Sequence, residues 1–593
     1  MGNVPTEIAI LDYGGQYVQN IRRAFLEMSI SAEIFPPNSK LKSIGECVGV
    51  ILSGGPYSVY QDSAPTIDDR VLRSGKPILG LCYGHQLIAH KMGGEVSRGK
   101  AGEYGFAEIR MLRKTALFEG IQSPQICWMS HGDQVARLPK GFVSLASTRD
   151  CPHAAMVHES LPVFGLQFHP EVGHTPQGWR MLQNFASEVC GLKVGSWDPE
   201  SYIRSKITRI AAEVGKGKAM VAVSGGVDST VTAVLARKAL GERLITVHVD
   251  HGFMRENESE QVLRDLGSLR LETILVDASK RFMDSVAGVE DGNAKRRKVG
   301  ELFVRTFEEV ANRKDVTVLI QGTIAPDAIE SSRGMASKRR GAEHGGMIKL
   351  HHNVGGLPEE MWIQVVEPIR DLFKYQVRLL GKALGVPDGL LERQPFPGPG
   401  LCVRIGGAVT AEATEALRKA TTIVEKSLGP YKPAQYLVYM IGREGKRHPE
   451  AERIAREMMG PSYSISASLH PNLGVGVKGD ERLLGSIVSL RIQREGKLAW
   501  DLIPWLDLLR LQSAITGGLP DVCRVLAALG QREEGGMAAV IRSVDTRDFM
   551  TAMPSQIPFE TLSAAADELL GLPSIGAVFY EMTTKPSSTI ELE

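Results

Sequence analysis

From residue 7 to about residue 385, short apolar runs alternate with stretches of helical periodicity. That alternation predicts βαβ units, in which parallel strands are covered by helices on both faces. The pattern breaks at Gly191–Ser196, a Gly/Lys/Ser stretch ahead of Trp197-Asp198-Pro199 that reads as a linker. It breaks again at Pro395-Phe396-Pro397-Gly398-Pro399-Gly400, where three prolines and two glycines forbid regular structure. Beyond residue 400 the periodicity weakens and reads as α+β. The expected fold class is therefore α/β: two successive doubly wound, mainly parallel-sheet domains at residues 6–194 and 195–394. An α+β C-terminal domain at 395–593 follows. No internal repeat interrupts this scheme.

Composition narrows the partners. Lys and Arg number 69 against 68 Asp and Glu, so the formal net charge of +1 favours neither nucleic acid nor an acidic membrane surface. The seven cysteines (47, 82, 127, 151, 190, 402 and 523) are dispersed and odd in number, with no Cys-x-x-Cys pair. This argues against a disulfide framework and a structural zinc site, and makes a reducing, cytoplasmic setting the default. The chain enters a strand at Glu7–Leu11 without a basic-then-apolar leader. No apolar run approaches the ~20 residues of a spanning helix.

Residues 80–84 read Gly-Leu-Cys-Tyr-Gly, with a strand-like run at Pro77–Leu81 before them and a helical pattern at 83–92 after. Cys82 thus falls on a sharp strand-to-helix turn flanked by glycines, the thiol version of a nucleophile elbow. A helix N-terminus there favours thiolate. Val163–His169 reads as another strand, and side chains at i and i+2 share a face. Glu171 can then orient His169 while His169 deprotonates Cys82. A lone cysteine is more often a small buried hydrophobe; the elbow glycines and His169-Pro170-Glu171 together reverse that reading.

Residues 7–190 resemble the class I glutamine amidotransferases. The resemblance includes Ser53-Gly54-Gly55-Pro56 after the strand Val48–Leu52. It implies an oxyanion hole from backbone N–H groups at Gly54, Gly55 and Tyr83. It further implies that Gln86 and the loop Ser130-His131-Gly132-Asp133 help hold glutamine. The implied reaction is attack on the glutamine amide, release of ammonia, and hydrolysis of a glutamyl thioester.

A second motif links the strand Ala219–Val223 to the helix Val231–Leu240: Ser224-Gly225-Gly226-Val227-Asp228-Ser229-Thr230. Glycines let backbone approach phosphate, the helix start supplies oriented N–H donors, and Ser224, Ser229 and Thr230 add hydroxyls. The loop lacks the Gly-Lys-Ser/Thr ending of a P-loop, so γ-phosphoryl transfer is the less natural reading. Asp228 repels bare phosphate and makes sense as a Mg²⁺ ligand on pyrophosphate. The string resembles the ATP pyrophosphatases, which cleave ATP between the α and β phosphates. In that family the end of the next strand, here Val249 and Asp250, contacts adenosine. Relatives carry asparagine where this chain has His251, which reads as a solvated strand-end histidine. The basic, Gly-rich Gly334–Gly346 reads equally as a mobile loop or a lid over substrate.

A glutaminase followed by an adenylating domain implies that ammonia displaces an adenylylated oxygen. Gln321-Gly322-Thr323, His351–Pro358, Phe396–Leu401, Asp548–Ala552 and Lys585–Glu591 resemble, in order, the glutamine-hydrolysing GMP synthetase family. That resemblance implies XMP, ATP and glutamine as substrates, Mg²⁺ with the ATP, and an O2-adenylyl-XMP intermediate. It puts Gln321 and Gly322 in the ATP site, makes Lys374 the catalytic lysine near the ATP phosphates, and has Arg255, Arg404, Lys585 and Glu591 hold XMP. His351 and His352 would point to opposite strand faces, so a shared metal role is not expected. Two other readings stay open. One is a different glutamine-dependent adenylating ligase. The other is a nucleotide-binding regulator with a retired site, against which the presence of Cys82, His169, Glu171 and Asp228 stands.

The chain departs from compact family members at about residues 492–541, interposed between Val488–Arg491 and Val544–Asp548. With its helical pattern at Trp500–Leu506, the insertion reads as a packed decoration. The C-terminal domain makes the dimer in compact relatives, so an insertion there leaves homodimer and monomer both open. Leu592 stands where relatives often have tryptophan, which predicts weaker packing of the tail.

Overall fold

The apolar runs of the first 190 residues become strands. The computed structural model describes residues 6–592 except 16, 196, 326, 328–363, 444, 479–480, 534–535, 547–550 and 586. Gly334–Gly346, His351–Pro358 and Asp548–Met550 therefore lie outside the described residues. The chain divides into two compact units, Met1–Trp197 and Asp198–Val477 with Arg482–Glu593. In the first, β1 (Ile8–Leu11), β2 (Ala32–Phe35), β3 (Gly49–Leu52), β4 (Ile78–Leu81), β5 (Glu95–Met111), β6 (Gln125–Arg137), β7 (Phe142–Ser147), β8 (Ala155–His158) and β9 (Val163–Leu166) form one sheet. Its order is β2-β1-β3-β4-β9-β8-β7-β5-β6. The half from β2 to β9 is parallel and the half from β9 to β6 antiparallel. Alternate residues of the parallel strands enter opposite cores. Ile51, Leu79 and Leu81 pack with Phe25, Leu182 and Phe185, while Val50, Leu52 and Ile78 pack with Leu87 and Ile88 of the helix Tyr83–Lys91. Burial on both faces is why these strands read as unbroken apolar runs.

The second unit opens with a wholly parallel sheet of β10 (Ala219–Ala222), β11 (Leu244–Asp250), β12 (Thr273–Asp277), β13 (Val318–Ile320) and β14 (Gln364–Val366). Its order is β12-β11-β10-β13-β14. Strand order reverses between β10 and β13, and the crevice outside such a switch point is where open α/β sheets take ligands. The helix after β10 begins at Val227, earlier than the expected Val231, because Gly226 is its N-cap. Asp228, Ser229 and Thr230 thereby join its first turn.

The remainder contributes β15 (Gln435–Gly442), β16 (Ser464–Lys478), β17 (Glu481–Arg494), β18 (Lys497–Leu498), β19 (Val522–Gln531), β20 (Met537–Asp545), β21 (Met553–Pro554) and β22 (Ile575–Glu581). The main path is β15-β20-β22-β19-β17-β16, with β18 on β17 and β21 on β20. One core runs from Met220, Val249 and Leu319 to Leu417, Val525 and Val578.

The interposed segment is not a decoration. Residues 492–541 supply the helix Trp505–Gly518 and β19, which lies inside the sheet between β22 and β17. The run Val522–Leu529 is buried throughout, and Trp500 Nε1 donates to the Ala528 carbonyl at 2.7 Å. Leu592, expected to pack weakly, is fully buried beside Tyr439, Ile487 and Phe579. Among the described residues, no helix is long and apolar enough to cross a membrane.

Candidate active sites

The carboxyl ends of β3, β4 and β9 lie side by side, and residues just past each of them build the thiol site. Cys82 has φ 50° and ψ −102°, a conformation rare for a residue with a Cβ. Its N–H donates to the Leu166 carbonyl at 2.8 Å, and Gly84 N donates to Ser53 O at 3.1 Å. A Cβ on Gly84 would overlap the Leu52 carbonyl oxygen, so the helix can start this close to β3 only with glycine there. The Tyr83 N–H is at the first helical position, where no intrahelical acceptor exists.

His169 is buried and hydrogen-bonded to Cys82. Its Nδ1 meets Glu171 Oε1 at 2.7 Å. Burial opposes charge on the imidazole, but the Glu171 carboxylate and the Cys82 sulfur together outweigh it and hold the His169 pKa well above the ordinary histidine range. His169 therefore rests as the imidazolium. β9 ends at Leu166, so His169, expected to close the strand, lies beyond it. The Thr175 hydroxyl fixes the segment instead, donating to His169 O at 2.6 Å and accepting from Trp128 N at 3.0 Å.

Ser130–Asp133, expected as a loop, lies within β6, with His131 opposite Glu103 of β5. Gln86 Nε2 donates to the Asp133 carbonyl at 2.7 Å and His131 Nδ1 to the same oxygen at 3.0 Å. The Asp133 carboxylate accepts from the Ser58 and Tyr60 hydroxyls. Ser130 O stands 3.6 Å from Cys82 Sγ. Sequence reasoning missed Gln167, whose Nε2 lies 3.7 Å from Cys82 Sγ and whose Oε1 accepts from Gln86. Its signal was the Gln-x-His spacing to His169.

At the switch point of the second unit, Ser224 N donates to Ser229 Oγ at 3.2 Å, and Ser229 Oγ donates to Gly226 O at 3.1 Å. Lys374, the first residue of the helix Lys374–Leu384, places Nζ 2.7 Å from Asp228 Oδ2. The other oxygen, Oδ1, is buried and has no hydrogen-bond partner among the described residues. Gln321 and Gly322 follow β13, and a Cβ on Gly322 would stand 3.0 Å from the Asp228 carbonyl. Asp250 ends β11 and accepts from Gly252 N at 2.9 Å, with Val249 buried before it. Arg393, not singled out from sequence, donates to Gly225 O at 3.1 Å.

A third group joins residues far apart in the chain. Arg404 is 1% exposed, and its Nε and Nη2 each meet a Glu591 oxygen at 2.8 Å. The Phe396 ring centroid is 4.5 Å from the Arg255 guanidinium carbon and 5.1 Å from that of Arg404. Arg255 also pairs with Glu425 at 3.0 Å. Lys585 is anchored through its backbone, which exchanges two hydrogen bonds with Ala552.

His251 is a correction. It is 3% exposed, not solvated, and its ring sits among Phe253, Phe282 and Phe303. Burial lowers its pKa to about 4, against a smaller opposing pull from Asp250. Folded His251 therefore stays neutral where an unfolded histidine is already charged. Protons bind the unfolded chain more below pH 6.5, so stability falls with pH from there to about 4, by up to ~3 kcal/mol from this group. Thermal unfolding of His251→Asn should show a shallower decline from pH 7 to 4.5 than the native chain; parallel declines would exclude the effect.

Comparisons with known proteins give three family models and full-length relatives. A family model for glutamine amidotransferase class-I matches residues 9–189, one for the PP-loop domain matches 199–382, and one for the GMP synthase C terminal domain matches 528–592. The chain is 37% identical over 591 residues to a protein of Heliobacterium modesticaldum named GMP synthase [glutamine-hydrolyzing], covering 99% of each. It is 38% identical over 592 residues to the protein of that name from Caldicellulosiruptor saccharolyticus, again with 99% of each covered. For Carboxydothermus hydrogenoformans the identity is 40% over 597 residues, with 99% of this chain and 100% of the relative covered.

Proposed function

The chain belongs to the glutamine-hydrolysing GMP synthase family, and on that premise we propose how its residues divide the work. Residues 6–194 act as the glutaminase, 195–394 as the ATP pyrophosphatase, and 395–593 as the domain that completes the acceptor site. The reaction is XMP, ATP, glutamine and water to GMP, AMP, pyrophosphate and glutamate.

In the first half, the Cys82 thiolate attacks the side-chain amide carbon of glutamine. Backbone N–H groups at Gly54, Gly55 and Tyr83 receive the developing oxyanion. His169, already protonated, gives its proton to the departing nitrogen; a glutamyl thioester and ammonia result. His169 then takes a proton from the water that attacks the thioester, releasing glutamate and returning sulfur and imidazole to the protonation states in which they began. Gln86 and His131 act indirectly, holding the Asp133 backbone so that the Ser130–Asp133 strand backs the glutamine site.

In the second half, the Ser224–Thr230 loop and the start of its helix cradle the ATP phosphates. Val249 and Asp250, with Gln321 and Gly322, border the adenosine and α-phosphate. Lys374 neutralises charge on the phosphates. Asp228 Oδ1, buried and without a partner among the described residues, suits a hard divalent cation such as Mg²⁺, which when bound would offset the charge of departing pyrophosphate. The XMP C2 oxygen attacks the α-phosphorus, pyrophosphate leaves, and ammonia displaces AMP at C2. Arg255, Arg404 and Lys585 offer cations to the XMP phosphate, and Glu591 accepts from purine N–H groups. Seven free thiols suit a reducing cytoplasm.

The observation that carries this reading is the presence in one chain of a thiol–imidazole–carboxylate site and an Asp228–Lys374 pair at a sheet switch point. Its test is incubation with XMP, MgATP and glutamine and resolution of the nucleotide products. GMP with equal AMP and pyrophosphate is expected; ADP with phosphate would overturn the adenylating assignment.

A further inference from the structure

From the 492–541 segment, the side chain of Arg524 reaches polar groups of the tail. Arg524, on β19, is fully buried, and its Nη1 donates to both oxygens of Glu581, at 3.0 and 2.8 Å. Its Nη2 lies within hydrogen-bond reach of the Thr589 hydroxyl at 2.8 Å and of the Glu591 and Val475 carbonyls at 2.5 and 3.1 Å. The tail runs beside β16: Val475 N donates to Leu592 O at 3.0 Å, and Thr589 N to Val475 O at 3.2 Å. A Cβ on Gly474 would stand 2.6 Å from Arg524 Nε, so β16 carries glycine where the guanidinium passes.

We propose that Arg524 is a positioning residue for the acceptor nucleotide: it fixes the backbone of residues 589–592 so that Glu591, with Lys585 four residues before Thr589, faces XMP. The proposal rests on the reading of Glu591 and Lys585 as XMP contacts. Three physical points support it. A buried guanidinium is expensive unless its donors are satisfied, and an apolar pair would serve packing at less cost. Arginine's planar fork can meet a carboxylate on one edge and tail acceptors on the other, which lysine's point charge cannot reproduce. Glu591 is then held at both ends, its carbonyl by Arg524 and its carboxylate by Arg404 and Gln435. Arg542 adds a second tie, donating to Thr583 O and to Ser588 Oγ at 3.0 Å.

The test uses the full chain with ammonium as nitrogen source, so that glutamine hydrolysis is bypassed. KM for XMP and for ATP are measured in Arg524→Met, Arg524→Lys and Thr589→Val, beside Glu591→Gln and Lys585→Met. Loss of a charged hydrogen bond to the tail should raise the XMP KM about tenfold or more in Arg524→Met and about threefold in Thr589→Val, with Arg524→Lys between native and Arg524→Met. ATP KM should stay within about twofold of native in all three, because the phosphate loop keeps its own contacts. Thr589→Val leaves the Arg524–Glu581 pair whole, so it decides the matter if Arg524→Met fails to fold. An unchanged XMP KM in folded Thr589→Val and Arg524→Met, with the Glu591 and Lys585 variants impaired, overturns the tether alone. XMP and ATP KM rising together would mark Arg524 as merely structural and also overturn it. An unchanged XMP KM in Glu591→Gln and Lys585→Met overturns the reading of the tail, and the tether with it.

Discussion

Replacing Cys82 with alanine should lower glutamine-dependent GMP formation by roughly three orders of magnitude or more, the scale of removing a covalent nucleophile. Synthesis from added ammonium should stay within about twofold of native, since among the described residues the Asp228–Lys374 pair shares no hydrogen-bond partner with Cys82. The substitution removes one sulfur and leaves the rest of the site in place. Alanine must still adopt φ near 50°, which costs about 1 kcal/mol but is already demanded of cysteine. His169 should respond too. With the Cys82 sulfur gone, one of the two groups holding its imidazolium is lost, and its pKa should fall while Glu171 still supports it. An imidazole NMR titration in Cys82→Ala reads that shift. The kinetic measurement is product formation with glutamine and with ammonium in parallel. Loss of both activities would contradict two separable sites.

The elbow was legible because its constraint is local. Gly80, Cys82 and Gly84 span the junction of an apolar run and a helix, and the close approach of Gly84 to Leu52 demands glycine. The turn at Ser224–Thr230 was legible for the same reason, within one strand–loop–helix unit. What was not legible depended on partners distant in the chain. Ser130–Asp133 has turn composition, yet pairing with β5 keeps it extended at the sheet edge. His251 looks polar and terminal, but Phe282 and Phe303 arrive from other helices to cover it. In the interposed segment the tryptophan-rich helical pattern drew attention away from Val522–Leu529, whose unbroken burial belongs to an interior strand. Arg404 and Glu591, both named as candidates, meet across 187 positions; their pairing is a property of the assembled sheet, not of either motif. Arg524 carried no signal at all, since an arginine inside an apolar run reads as an interruption until its acceptors are seen.

Replacing Asp228 with asparagine should stop adenylylation whichever nitrogen source is offered. The change keeps side-chain volume and removes the charge. Two interactions depend on that charge: the ion pair with Lys374 at 2.7 Å, and the buried Oδ1 that suits a divalent cation. Asparagine presents a neutral oxygen and an N–H₂ group in their place, and the latter repels both Lys374 and a cation. Loss of electrostatic stabilisation at one position commonly costs 10²–10³-fold, and here two charges lose their partner, so XMP-dependent pyrophosphate release should fall by about 10³-fold. Raising Mg²⁺ should recover little of it, because asparagine is the weaker ligand at any concentration. Hydrolysis at Cys82 should remain chemically competent, since His169 and Glu171 are untouched. The decisive measurement is pyrophosphate release from MgATP and XMP with ammonium present. Release at the native rate would remove Asp228 from the chemistry and leave its pairing with Lys374 a matter of folding alone.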